Sequence, residues 1–312
     1  MAVTLYWLQA GACSGDSMSL LNANSPDLIE TLRELEVDLL WHPSLSVGNR
    51  TGHKDLVARM QSGEQRLDVL CIEGAVIRGP GGTGMFDTMH GKAKKNVIWN
   101  LAHKAAYVIA IGTCASHGGV CGRGEVEGTG LQFHGRHRGG FLGEDFRSST
   151  GLPVINIPGC PAHPTVVTQA LSAIVHGAHL ALDAHQAPTA WFGTTVHQGC
   201  TRNEYHEYRV EERVFGEKGC LFFHMGCQGP LVRGPCNKLL WNGRSSKTRV
   251  GVPCFGCTDP DFPKPFAFFQ TRNIEGLPID LPDGINRAHY LAYKGMAAAA
   301  APQRLKSRES NI

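Results

Sequence analysis

Residues 3–16 read Val-Thr-Leu-Tyr-Trp-Leu-Gln-Ala-Gly-Ala-Cys-Ser-Gly-Asp, an apolar run that breaks at glycine and delivers Cys13 and Asp16. The same order recurs downstream. Leu67–Ile72 precedes Glu73, Tyr107–Ile111 precedes Gly112-Thr-Cys114, and Val154–Ile157 precedes Pro158-Gly-Cys160-Pro. With Val3–Leu8 and Val37–Trp41 these are short, apolar segments of the kind that form fully buried parallel strands. Between them lie helix candidates at Pro26–Leu35, Lys92–Lys104 and Pro164–His176. In the first, a proline stands near the start and Leu28, Ile29, Leu32 and Leu35 form a stripe. Alternation of strand and helix predicts an α/β fold, a flavodoxin-like doubly wound parallel sheet. Ligands of such sheets bind at the carboxyl ends of the strands. Cys13, Glu73, Cys114 and Cys160 would therefore meet along one edge.

After about residue 180 the periodicity fades and Gly, Pro and Cys dominate. His197-x-x-Cys200, Cys220, Cys227, Cys236 and Pro253-Cys254-Phe-Gly-Cys257 crowd this half, which reads as loops folded around something. Soft sulfur ligands grouped this densely imply metal, and their number suggests several iron–sulfur clusters. The competing reading is structural zinc, whose signature is paired C-x₂₋₄-C or H-x₃₋₅-H hooks. Only His197/Cys200 and Cys254/Cys257 resemble hooks, and zinc leaves the other cysteines unexplained. The expected domains are 1–178, flavodoxin-like and carrying one cluster; 179–290, a loop-rich iron–sulfur cluster domain; and 291–312, a tail.

Composition narrows the classes. At 312 residues, 42% hydrophobic and 18% charged, the chain can bury a proper core. A formal net charge of +3 is too small to argue for nucleic acid or an anionic membrane. The eleven cysteines are odd in number, and the start Met-Ala-Val-Thr-Leu-Tyr-Trp has no charged n-region or twin arginine. The expectation is a cytoplasmic protein, with a peripheral position on the cytoplasmic membrane face as the variant. Nothing approaches the roughly 20 apolar residues of a membrane span.

From Leu8 to about Pro260 these motifs resemble the small subunit of NiFe-hydrogenases. They are the Cys13-x-x-Asp16 turn, Glu73-Gly-Ala, Gly112-Thr-Cys114-Ala, Pro158-Gly-Cys160-Pro, His197-x-x-Cys200, Gly219-Cys220, Gly226-Cys227-x-Gly-Pro, Cys236 and Pro253-Cys254-x-Gly-Cys257. The resemblance implies an uptake hydrogenase subunit with three clusters leading electrons from a NiFe centre in a separate large subunit. By position, a proximal 4Fe-4S cluster would take Cys13, Asp16, Cys114 and Cys160. A medial 3Fe-4S cluster would take Cys236, Cys254 and Cys257. A distal 4Fe-4S cluster would take His197, Cys200, Cys220 and Cys227. Where a fourth medial cysteine could stand, this chain has Lys247. The Cys220–Cys227 spacing is one residue wider than the family's, which draws attention to His224. Implied partners are an obligate large subunit, a dimer of heterodimers or larger assembly, and an external acceptor in a quinone or cytochrome chain; nucleic acid is not among them.

The departure from the family pattern is Asp16, where C-x-x-C is usual. A carboxylate is a harder donor than thiolate. Three cysteines and one aspartate resemble the group 1h, actinobacterial-type, high-affinity and oxygen-insensitive enzymes. The other reading of Asp16 is an N-cap. Glu73 is read as lying near the proximal cluster, with a role there or in a proton path, or as an acceptor for turn amides. Cys71 is read as core, and a buried thiol is favoured over a ligand for Cys121. Two other functions fit part of the pattern: a hydrogen sensor using the same clusters, and a quinone oxidoreductase subunit related to respiratory complex I. The second matches the first domain and leaves the cysteine-rich half unexplained.

Overall fold

A computed structural model describes residues 2–122 and 124–306. The last residues of the tail expected at 291–312 lie outside the described residues. Five parallel strands form the central sheet: β1 (Val3–Gln9), β2 (Val37–Trp41), β3 (Val69–Glu73), β4 (Tyr107–Ile111) and β5 (Ile155–Ile157). Their order is β2-β1-β3-β4-β5, which is the flavodoxin-like winding. All five expected strands are present, with ends displaced by at most two residues.

Covering helices are α1 (Gly15–Leu21), α2 (Leu28–Glu34), α3 (Arg50–Ser62), α4 (Lys94–Ala102), α5 (Gly112–His117) and α6 (Pro164–Val175). Side chains alternate across a strand, so β1 serves two faces. Tyr6 and Leu8 pack with Val57 and Met60 of α3 and Val97, Ile98 and Leu101 of α4. Leu5 and Trp7 face Leu20 of α1, Leu28 of α2 and Leu171 of α6. Both faces are therefore buried, as parallel strands require.

Three of these helices carry no clear sequence signal. α1 and α5 begin inside the glycine turns. α3 has only Val57 and Met60 buried, too thin a stripe to declare itself. Its boundary residues are nevertheless the expected kinds: the Asn49 side chain accepts the Gly52 N–H at 2.8 Å, and Gly63 ends the helix at φ 87°. α2 starts at Leu28 rather than Pro26 because Asp27 is its cap, accepting the Glu30 N–H at 2.7 Å.

The chain divides into two compact units, residues up to Ala190 with Cys257–Pro263, and Trp191–Gly256 with the residues from Lys264 onward. In the first unit the returning segment is clamped by Arg136. Its guanidinium donates to both Asp259 oxygens, at 2.9 and 3.1 Å, and pairs with Asp261. The Thr113 hydroxyl donates to the Cys257 carbonyl. The second unit has little regular structure beyond α7 (Asn203–Glu207), α8 (Arg287–Ala300) and a two-residue hairpin. Its core joins Val196, Leu221, Phe222, Phe223 and Val232 to three cysteines. Among the described residues no helix is long and apolar enough to cross a membrane.

One buried histidine gives the first unit a pH dependence. His117 of α5 is 2% exposed and donates from Nδ1 to the Gly135 carbonyl at 3.1 Å. Burial, then neighbouring His185, pushes its pKa down to about 4. A depressed histidine contributes stability above its unfolded pKa, and this is lost as pH falls towards the folded value. By pH 5 the native chain should have lost about 2 kcal/mol from this group. His117→Gln should remove that slope, as read by denaturant midpoints between pH 7 and 5; parallel slopes would reject the assignment.

Candidate metal centres

Register sets the first site. Gln9 pairs with Glu73, Glu73 with Ile111, and Ile111 with Ile157, so four strands end at one level. The turns that follow carry Cys13, Cys114 and Cys160. The Thr113 N–H donates to the Gly159 carbonyl at 2.8 Å and the Thr113 hydroxyl accepts the Gly159 N–H at 2.9 Å, tying the last two turns together. The Cys114 thiol lies in the field of Cys160, Cys121 and Asp16, and burial pushes it up to about 12. Cys13 and Cys160 are exposed at this edge.

Asp16 is no N-cap. It is the second residue of α1, whose cap Ser14 makes no side-chain bond. The Asp16 carboxylate instead crosses the sheet edge, accepting the Ala162 N–H at 2.6 Å beside the Cys160 turn. Burial raises it to about 7, the Ala162 bond opposing and the Glu73 charge adding.

Glu73, fully buried, holds the turn from behind. It accepts from Trp7 Nε1 at 2.9 Å, Gln9 Nε2 at 3.0 Å, the Asp16 and Ser17 amides at 3.2 and 3.1 Å, and the Ser17 hydroxyl. It thus satisfies free N–H groups at the start of α1 that no local cap reaches. Ser17 Oγ also meets His42 Nε2 at 3.4 Å, while His42 Nδ1 accepts from the Ser44 amide. Cys71 is fully buried in β3. Cys121 is half-buried and raised by burial and then by Cys13, so its thiol adjoins the site.

In the second unit His197, Cys200, Cys220 and Cys227 line one cavity. Backbone amides point at its sulfurs: Arg202 N at 3.3 Å from Cys200 Sγ, and Gly229 N and Cys254 N at 3.5 and 3.3 Å from Cys227 Sγ. Such donors favour thiolate. Burial raises Cys227 to about 11 and Cys220 further, and lowers the His197 imidazole, leaving that ring neutral and able to ligate. The donors and the ligand set fit an iron–sulfur cluster. Among the described residues no three His, Cys, Asp or Glu side chains close on one point as ligands of a single ion do.

His224 does not line the cavity; its Nε2 meets Glu211 Oε2 at 2.7 Å. Of the medial candidates, Cys236 and Cys254 lie in the second unit and Cys257 in the first. Lys247 stands with its ammonium 4.9 Å above the Phe255 ring, next to Cys254. Two residues that no motif announced adjoin the distal cavity. His206 packs on His197 with ring centres 4.4 Å apart, and burial, then His197 and Arg209, lowers it to about 3. Arg202 lines the cavity wall itself.

The chain is similar to known proteins in both halves. Residues 13–174 match the family "NADH ubiquinone oxidoreductase, 20 Kd subunit", and residues 192–270 match the C-terminal family of the NiFe/NiFeSe hydrogenase small subunit. The chain is 32% identical to the F420 non-reducing hydrogenase II small subunit of Methanosarcina mazei, covering 88% of this chain and 78% of that protein. It is 30% identical to the hydrogenase-2 small chain of Escherichia coli, covering 86% and 70%. An actinobacterial-type NiFe-hydrogenase structure from Ralstonia eutropha superposes with a TM-score of 0.79 at 25% identity, covering 100% of this chain and 94% of that one. The first match alone would admit a complex I relative, but the second falls on the half that holds the cavity lined by His197 and three cysteines. The chain belongs to the NiFe-hydrogenase small-subunit family, electron-transferring partners of a large subunit that carries the NiFe centre.

Proposed function

We propose that this chain is the small subunit of an uptake hydrogenase and holds three clusters: a proximal 4Fe-4S on Cys13, Asp16, Cys114 and Cys160, a medial 3Fe-4S on Cys236, Cys254 and Cys257, and a distal 4Fe-4S on His197, Cys200, Cys220 and Cys227. The observation that carries the reading is the distal cavity, where four donors spread over 31 positions line one space. When bound, the clusters supply one-electron steps between the large subunit and an external quinone or cytochrome acceptor. The chain's own residues fix the sulfurs, aim amides at them and, through His197, present a neutral donor in place of thiolate. A neutral imidazole leaves the site less anionic and raises its potential, which suits an exit point.

The exposed Cys13 and Cys160, with Met18 and Val120 at 68% and 62% exposure in the adjoining segments, support this edge as the face covered by the large subunit. Asp16, reaching across to Ala162, supports its place as a proximal ligand and the chain's place among group 1h, oxygen-insensitive enzymes acting in the cytoplasm. Assembly as a dimer of heterodimers belongs to the same proposal.

The test is iron and sulfide content with redox-poised electron paramagnetic resonance on anaerobically purified heterodimer. About 11 iron atoms in the small subunit and one three-iron signal are expected. Zinc, or iron for a single cluster, would overturn the relay. In the same preparation Asp16→Cys should change the proximal spectrum and potential; an unchanged spectrum removes Asp16 from the ligands.

A further inference from the structure

The wall of the distal cavity contains a cation that the ligand motif does not account for. Arg202 lies two residues after Cys200 and is anchored on three sides. Its Nε donates to the Thr248 carbonyl at 2.9 Å, and its Nη1 donates to the Gly219 carbonyl at 2.7 Å and pairs with Glu212. Thr248 is fixed in turn, its hydroxyl donating to Asn237 Oδ1 at 2.9 Å. The Arg202 side chain is 19% exposed and that of Glu212 is wholly buried. Only the arginine lines the cavity; the glutamate stands behind it.

We infer that Arg202 sets the reduction potential of the distal centre and that Glu212 is the positioning residue that holds and partly offsets its charge. This rests on the distal-cluster reading above. The physical reason is the order of the charges. An electron added to the cavity meets the guanidinium first and the carboxylate second. In a low-dielectric wall the nearer charge prevails, so the pair raises the potential. A lysine here would give the cation without the fork that meets Thr248, Gly219 and Glu212 together.

The experiment is a redox titration of the distal 4Fe-4S signal by electron paramagnetic resonance, on heterodimers carrying Arg202→Met, Glu212→Gln and the two together. Arg202→Met should move the midpoint to lower potential and Glu212→Gln to higher potential. The double variant removes both charges without stranding either, and should fall between Arg202→Met and the native protein. If Arg202→Met does not assemble, Glu212→Gln and the double variant decide. Shifts of the same sign, or none, with the signal intact would overturn the inference and leave a structural ion pair. A native protein with no imidazole-ligated 4Fe-4S signal would instead bring down the cluster assignment, and this inference with it.

Discussion

Glu73→Ala should destabilise the chain by roughly 4 kcal/mol and abolish the proximal cluster signal. The carboxylate is completely buried and accepts from five donors on β1 and α1. Each bond to a charged group contributes about 1.5–3 kcal/mol net, and each buried donor left unpaired costs about 1–3 kcal/mol. Those terms are not additive, because the turn can relax and let water reach the Asp16 and Ser17 amides. Relaxation is itself the functional loss, since these amides belong to the turn that presents Cys13 and Asp16. Glu73→Gln keeps the shape and one accepting oxygen but turns an NH₂ towards other donors, so about half the loss is expected. Denaturant midpoints and the proximal signal measure both effects. A native spectrum in Glu73→Ala would show that the turn holds itself.

Gly112→Ala should cost about 3 kcal/mol and displace Asp16. Gly112 opens α5 at φ 81°, a left-handed conformation that costs an ordinary residue about 1–2 kcal/mol. A Cβ there would stand 2.2 Å from Asp16 Oδ2 and 2.8 Å from Oδ1, well inside contact distance. The carboxylate would have to leave, and with it the bond to the Ala162 amide at 2.6 Å. Gly63 separates the two contributions. It sits at φ 87° with nothing within 4 Å of a Cβ, so Gly63→Ala should show the backbone cost alone, about 1 kcal/mol. Equal losses at the two positions would mean that Asp16 yields freely, and would weaken its standing as a fixed ligand.

The sheet is readable because its strands are short and mainly apolar, and four of the five lead into a glycine turn. Period, length and boundary agree at Val37–Trp41 and Tyr107–Ile111, where both ends coincide with the observed strands. α3 is unreadable because two buried residues over 13 do not make a face. The cysteines and His197 stand out in the sequence by their spacing, and the structure brings His197, Cys200, Cys220 and Cys227 around one cavity. The supporting residues leave none. Arg202 and Glu212 are ten positions apart in a charged stretch, where arginine and glutamate ordinarily mean a solvated surface. Only the fold shows Glu212 to be fully buried. Glu73 is placed by its strand end, but five donors on one carboxylate are a tertiary fact. His206 is marked only by the rings it touches.

That Glu73 reaches the Cys13 turn from another strand bears on transplantation. The segment Cys13–Leu21 looks like a portable module, nine residues with the two proposed ligands Cys13 and Asp16 at its head. Its posture, however, is held by Trp7, Gln9 and a carboxylate 57 positions beyond Asp16. Grafted onto a foreign sheet it would bring the chemistry of its side chains without their aim. The smallest unit that can be moved with its aim intact is the β1–β3 pair with its intervening chain.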